Sequence, residues 1–194
     1  MTDPNQSQGR SAQAKAPDNG AYGVLDLTPE QIATACHVPL DAARANWPLI
    51  LQALKDLGIG SQLVQVGAAA TVAVETGCFR PIQERMADPS KQADLASRQA
   101  KYYPFQGRGF IQLTWERNYR TYGDLIGVDL VDRPDQAKDP AIAARVLALY
   151  FKRSGVDRAC NSEDWRAVRR LVNGGYNGMD RFQACVNALL EVVE

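Results

Sequence analysis

The chain has 194 residues, 45% of them hydrophobic and 23% charged, which fits one ordinary globular domain that buries its own core, with room for a short tail. Lys plus Arg and Asp plus Glu both number 22, so the formal net charge is zero, which argues against a dedicated nucleic-acid binder, since that needs a basic surplus to neutralise phosphates. No apolar run reaches the ~18–20 residues of a membrane span, so stable membrane insertion is not expected.

Residues 1–20 are polar, without apolar period, and read as a disordered tail ahead of one domain over 21–194. The same stretch lacks the apolar core of a signal peptide, which predicts synthesis and initial residence in the cytoplasm. Thr28-Pro29-Glu30-Gln31 reads as a helix start, with Thr28 as N-cap and Gln31 closing a capping box. That helix should end before Pro39. A second helix is predicted over 40–57, kinked or split by Pro48 and closed by Gly58 and Gly60. Ser61 should cap a third helix running to Thr76, apolar almost all round and therefore buried. Residues 78–108 show no strong period, and a long irregular stretch in a helical chain points to function. Gly109–Leu113 reads as a short extended segment. Further helices are predicted from Trp115 with Thr114 as cap, from Asp139-Pro140 with Ile142, Val146, Leu149 and Tyr150 inward, from Ser162 to about Val172, and from Met179 to Val193. No internal repeat or second domain is visible, and the class is mainly α.

The chain has one histidine, His37. Zinc hydrolases usually need two or three, so no metal or other cofactor is expected and carboxylates are left to carry any catalysis. None of the four cysteines shows C-x-x-C spacing. Four reduced thiols are the default without a signal peptide. Cys160 and Cys185, both near helical segments, are a pair that space could bring together.

Glu75 sits at the C-terminal end of the apolar third helix. The dipole and partial burial there both disfavour its charged form, which suits a general acid; the alternative is an exposed helix-end residue. Glu84 follows after Gly77 and Pro81 have broken the helix, so the two carboxyls do not share a helical face. Facing each other across a cleft, they would match the paired acids of glycoside hydrolysis. The alternative for Glu84 is a solvated loop residue paired with Arg85.

Residues 107–119, Gly-Arg-Gly-Phe-Ile-Gln-Leu-Thr-Trp-Glu-Arg-Asn-Tyr, resemble the signature of glycoside hydrolase family 19, which holds plant-type chitinases and many bacteriophage endolysins. Val74-Glu75-Thr76-Gly77 resembles the segment carrying the family's general acid. The runs 126–130, Arg133-Pro134 and Asp139-Pro140, the Asn173-Gly174-Gly175 turn and Asp180-Arg181 extend the resemblance over roughly 28–190. The chain departs from the pattern at Val74, Cys78 and Gln106, and residues 85–99 align poorly.

The resemblance implies a two-lobed, lysozyme-like helical domain with the substrate cleft between lobes. It implies Glu75 as general acid, Glu84 as general base and Thr114 as a holder of the attacking water, a role that competes with helix capping. Gln112, Asn118 and Asn173 would bind sugar, with Tyr103 as a further substrate contact and Arg181 orienting carboxylates or touching substrate. Arg108 reads as a structural ion-pair partner, and Trp115 and Tyr119, at helical spacing, as core. The reading for function is an inverting muramidase of the endolysin type, acting as a monomer on bacterial peptidoglycan after release from the cytoplasm with the help of a holin or a delivery apparatus. A chitinase, a lytic transglycosylase and a non-catalytic sugar-binding descendant remain as alternatives.

Overall fold

The structure is a computed structural model, and it describes residues 25–193; the expected N-terminal tail lies outside the described residues. Helix α1 (Pro29–Cys36) begins with the capping box read from the sequence: Thr28 Oγ1 accepts from the Gln31 N–H at 3.2 Å, and Gln31 Oε1 accepts from the Thr28 N–H at 2.8 Å. Helix α2 (Leu40–Asp56) contains Pro48 yet runs unbroken. Pro48 and Arg44, whose carbonyl loses its N–H partner to the proline, both lie on the exposed face. The opposite face buries Trp47, Ile50 and Leu54, and this packing holds the helix through the missing bond.

Helix α3 (Gln62–Thr76) starts at Ser61, whose hydroxyl accepts from the Val64 N–H at 3.4 Å, and ends at Gly77 in the left-handed region. Every residue from Val64 to Ala73 is buried. Small side chains let neighbours approach closely; any side chain at Gly67 would run into the sulfur of Cys160. Gln65, the polar exception in the first turns, is satisfied on both sides. Its carbonyl oxygen accepts from the Leu27 N–H, and its amide donates to Asp26 and to the Gly60 carbonyl.

Strands β1 (Ile82–Gln83) and β2 (Arg108–Gly109) pair antiparallel, Ile82 opposite Gly109 and Gln83 opposite Arg108. Between them lies α4 (Ala93–Ala100), which the sequence reading placed in an irregular stretch. After β2 the chain folds back so that Arg108 and Leu113 exchange both backbone hydrogen bonds. Helix α5 (Glu116–Ile126) follows, with Trp115 at its N-cap and no side-chain cap. Thr114 is therefore not the cap; its hydroxyl donates to the Gln112 carbonyl at 2.8 Å.

A 3-10 turn (Pro134–Lys138) leads to α6 (Pro140–Ser154), capped as expected by Asp139, whose Oδ1 accepts from the Ala141 and Ile142 N–H groups. Of the four residues expected inward, Val146 is buried, while Ile142, Leu149 and Tyr150 are half-buried and Leu147 and Phe151 fill the core. Helix α7 (Val156–Asn161) was not anticipated, and it moves the next cap: Ser162 closes α7, and Asp164 caps α8 (Trp165–Asn173) by accepting from the Ala167 N–H at 2.9 Å. Helix α9 (Met179–Leu190) ends the described fold.

Helices α1, α7, α8 and α9 pack around α3, and α2 packs on α6. These helices form a larger lobe. The β1–β2 pair, α4 and their loops form a smaller one, so the mainly helical, two-lobed domain expected from the sequence is the fold observed. Among the described residues no helix is long and apolar enough to cross a membrane.

The cysteines differ from expectation. Cys36, at the end of α1, is bonded to Cys185 in α9, with Cα atoms 4.7 Å apart and a sequence separation of 149. Cys78 and Cys160 are free thiols. Cys160 packs against α3, away from Cys185, and burial pushes its thiol up to about 12. A bridge closing so long a loop is expected to contribute about 2–5 kcal/mol. Cys36→Ser should lower the unfolding free energy by that amount in urea titration, whereas Cys78→Ser should move it by no more than about 0.5 kcal/mol.

Candidate active site

The buried register of α3 brings only its last turn to the surface between the lobes. Glu75 stands there with its side chain 11% exposed, on the wall of a hollow of about 460 Å³. Gln112, Thr114, Asn118 and Asn173 line the same hollow, so five of the eight residues singled out in the sequence converge. Gln112 adopts a positive φ of 52°. Its amide nitrogen donates to the Ile82 and Gly109 carbonyls, which leaves Oε1 as an acceptor. Thr114 has spent its proton on the Gln112 carbonyl, so toward the cleft its oxygen can only accept. Asn118 donates to the Thr114 carbonyl at 2.8 Å and keeps its carbonyl oxygen free for a ligand.

One partner of Glu75 was missed. Arg169 of α8, its side chain only 3% exposed, donates through Nη1 to Glu75 Oε1, while its Nε donates to the Asn177 carbonyl at 2.7 Å. Beside Arg170 it reads as one of two solvated charges. The signal was its place four residues after Trp165, an i, i+4 spacing that puts it on the helix face carrying that buried ring. Tyr150 also faces the hollow and donates to the Leu171 carbonyl at 2.7 Å. Burial, and further the Glu75 carboxylate, push its phenol above the ordinary tyrosine range.

Glu84 lies beside this hollow rather than on its wall. It directly follows β1, and its N–H donates to the Gly107 carbonyl at 2.7 Å, extending the β1–β2 ladder by one step. Three groups fix its carboxylate: Gln99 Nε2 at 2.9 Å, the Tyr102 hydroxyl at 3.1 Å to each oxygen, and the Gly107 N–H at 3.3 Å. Arg85 is not its partner. Burial and then the Glu84 carboxylate raise the Tyr102 phenol to about 12, so Tyr102 remains a donor at any ordinary pH. Gly107 separates Glu84 from Gln112, and a Cβ there would stand 2.9 Å from Gln112 Oε1 and 3.4 Å from Glu84 Cβ.

The other two expected residues stand apart. Tyr103 is 66% exposed and lines a neighbouring hollow. Arg181 is exposed on α9 near the end of α3, its Nη1 within 3.9 Å of where a Gly77 Cβ would be, and Arg169 holds Glu75 instead. Arg108 is buried and structural. It pairs with Asp135 at 3.1 Å, beyond the motif, and donates to the Pro104 and Gln106 carbonyls and the Tyr119 hydroxyl. Tyr119 is core as expected, but Trp115 is 50% exposed. Among the described residues no group of three or more His, Cys, Asp or Glu side chains is placed to hold a metal ion.

The fold matches that of chitinase C from Streptomyces griseus, with a TM-score of 0.59 at 20% identity over 90% of this chain and 95% of that one. The family model described as chitinase class I matches residues 61–165, and the chain belongs to glycoside hydrolase family 19. Chitinase 11 of Oryza sativa subsp. japonica is 49% identical over 49 residues, 25% of this chain and 19% of that relative. Chitinase 4 of the same plant is 32% identical over 123 residues, 61% of this chain and 42% of its own length. The chain thus spans less than half of either plant relative.

Three variants probe this geometry. Arg169→Ala leaves a nearly buried carboxylate without its cation and should cost about 3–5 kcal/mol of stability in thermal or urea unfolding; Glu75→Gln keeps an oxygen acceptor for Arg169 and should cost about 1–3 kcal/mol. Gly107→Ala should keep the fold, with a circular dichroism spectrum like that of the parent, but wedge Glu84 and Gln112 apart and lower kcat/KM by about tenfold to a hundredfold.

Proposed function

We propose that this chain is an inverting glycoside hydrolase that cleaves the β-1,4 bond between N-acetylmuramic acid and N-acetylglucosamine in bacterial peptidoglycan, with the role of a phage-type endolysin. The observation that carries the hydrolase reading is Glu75, a carboxyl held by a buried arginine at the edge of a cleft whose other walls offer the acceptors of Gln112, Thr114 and Asn118. Glu75 protonates the glycosidic oxygen as the bond breaks. Water enters from the other side; Glu84 takes one of its protons as the water oxygen bonds to the anomeric carbon, and the Thr114 oxygen accepts a hydrogen bond from the other O–H. Glu84 comes from a separate strand end, and the reading requires room for that water, about 6.5–9.5 Å between the two carboxyls. Gln112, Asn118 and Asn173 take the acetamido and hydroxyl groups.

Peptidoglycan is preferred to chitin on two grounds. The resemblance at residues 107–119 extends to phage endolysins, and the hollow neighbouring the cleft carries Lys101 and Arg117, for which neutral chitin has no counter-charge. Chitin is the second reading, favoured by the relatives, which are named as chitinases. On the endolysin reading the protein acts as a monomer and reaches the wall through a holin or a delivery apparatus.

Purified peptidoglycan and chitin oligosaccharides, digested in parallel, test the reading. New reducing ends on muramic acid, without anhydro-sugar, are expected from peptidoglycan, with the first product inverted by NMR before mutarotation. Turnover of chitin alone establishes the second reading, anhydro-muramic acid a transglycosylase, and a retained anomer refutes inversion. Glu75→Gln should lose at least about 10²–10⁴-fold in kcat.

A further inference from the structure

A second hollow of about 570 Å³ adjoins the one that holds Glu75, and Trp115 lines both. Trp115 is costly where it stands. Its φ of 76° and ψ of 135° lie in a region that bulky side chains rarely adopt, and half of its surface faces water. Backbone bonds hold it there: its N–H donates to the Phe105 carbonyl at 2.9 Å, and its carbonyl accepts from the Asn118 and Tyr119 N–H groups. Strain of this kind, kept by a well-bonded frame around an exposed aromatic ring, points to a ligand rather than to packing. The Tyr102 ring meets the Trp115 ring edge-on at 5.3 Å between centroids, and the hydroxyl of that same Tyr102 holds Glu84. The wall of the second hollow is therefore joined to the expected general base.

The charge of this hollow is lopsided. Lys101, Arg117 and Glu116 line it together with Tyr103. Glu116 is taken by Arg120 at 2.6 Å. Among the described residues neither Lys101 nor Arg117 is in an ion pair. What remains is an exposed aromatic shelf of Trp115 and Tyr103 flanked by two uncompensated cations.

We infer that this hollow is a second sugar subsite, continuous with the cleft, in which Trp115 and Tyr103 stack on an amino-sugar ring while Lys101 and Arg117 receive a carboxylate carried by that sugar. The occupant is a muramic acid residue bearing its lactyl carboxylate or the acidic stem peptide attached to it. The inference deepens the peptidoglycan reading and rests on it. A neutral N-acetylglucosamine polymer would use the aromatic shelf but leave both cations unanswered, so the subsite discriminates between two polymers with the same backbone bond.

Binding tests this independently of turnover. Trp47 and Trp165 are buried, so Trp115 is the exposed fluorophore of the three tryptophans. Glu75→Gln protein is titrated with two tetrasaccharides, the neutral N-acetylglucosamine tetramer and the alternating N-acetylglucosamine–N-acetylmuramic acid tetramer. Both should perturb the emission, and Trp115→Phe should abolish the change. The muramic tetramer should bind roughly tenfold more tightly at low salt, with the advantage shrinking as salt is raised. Lys101→Glu combined with Arg117→Glu should erase that advantage and leave the affinity for the neutral tetramer unchanged. Equal affinities in the unmutated rim, or an advantage that survives the double reversal, overturn the subsite. Absence of peptidoglycan turnover by the wild-type protein would instead overturn the functional reading.

Discussion

The structure depends on the burial of α3. A helix with no wet side between Val64 and Ala73 forces other helices to surround it, and α1, α7, α8 and α9 do so. Of its buried polar side chains, Gln65 is answered from within by Leu27, Asp26 and Gly60, whereas the Thr71 hydroxyl is buried without a hydrogen-bond partner. The position of Glu75 follows from the same constraint. The carboxyl stands on a part of the chain that cannot rotate or slide without disturbing the whole core, and Arg169 ties it to the turn at Asn177. Placing the acid on a rigid element while Glu84 sits on a short strand pair gives the two carboxyls different freedoms. The first is fixed by the core, and the second by three hydrogen-bond donors.

Arg108 does for the smaller lobe what α3 does for the larger. One buried guanidinium gathers Gln83, Pro104, Gln106, Tyr119 and Asp135, so it binds β1, the loop before β2, α5 and the 3-10 turn to one centre. A cation buried that deeply is tolerated because it is paired and hydrogen-bonded, here through Nε and Nη1. The strand pair that carries Glu84 inherits its position from that network, although the Arg108 guanidinium bonds to no residue that lines the Glu75 hollow.

The parts of the fold that were legible in the sequence are those whose cause is local. The capping box of α1, the Asp139 cap of α6 and the all-round apolar run of α3 each need only neighbouring residues to be recognised. Helix α4 was not legible because it buries a glutamine, Gln99, and no apolar face, so it leaves no hydrophobic period. Trp115 looked like core because it stands four residues before Tyr119, but that spacing means a shared face only inside a helix, and α5 begins one residue later. Arg169 and the Cys36–Cys185 bridge depend on which helices meet in space. Five residues of the candidate site converge on one hollow because the family motif marks them, whereas the partners that hold them are set by tertiary packing.

The Cys36–Cys185 bridge also decides what a single backbone cut does. Residues Asp88 to Ser90, between the two strands, are exposed on a turn, the kind of segment that proteases nick first. The bonded cysteines lie on opposite sides of that turn in the sequence. A chain cleaved there is two peptides in sequence but one molecule in covalent connection, with α1 still joined to α9 across the break. The fragments separate only under reduction, so intact and nicked protein have the same mass, apart from one water, until a thiol is added.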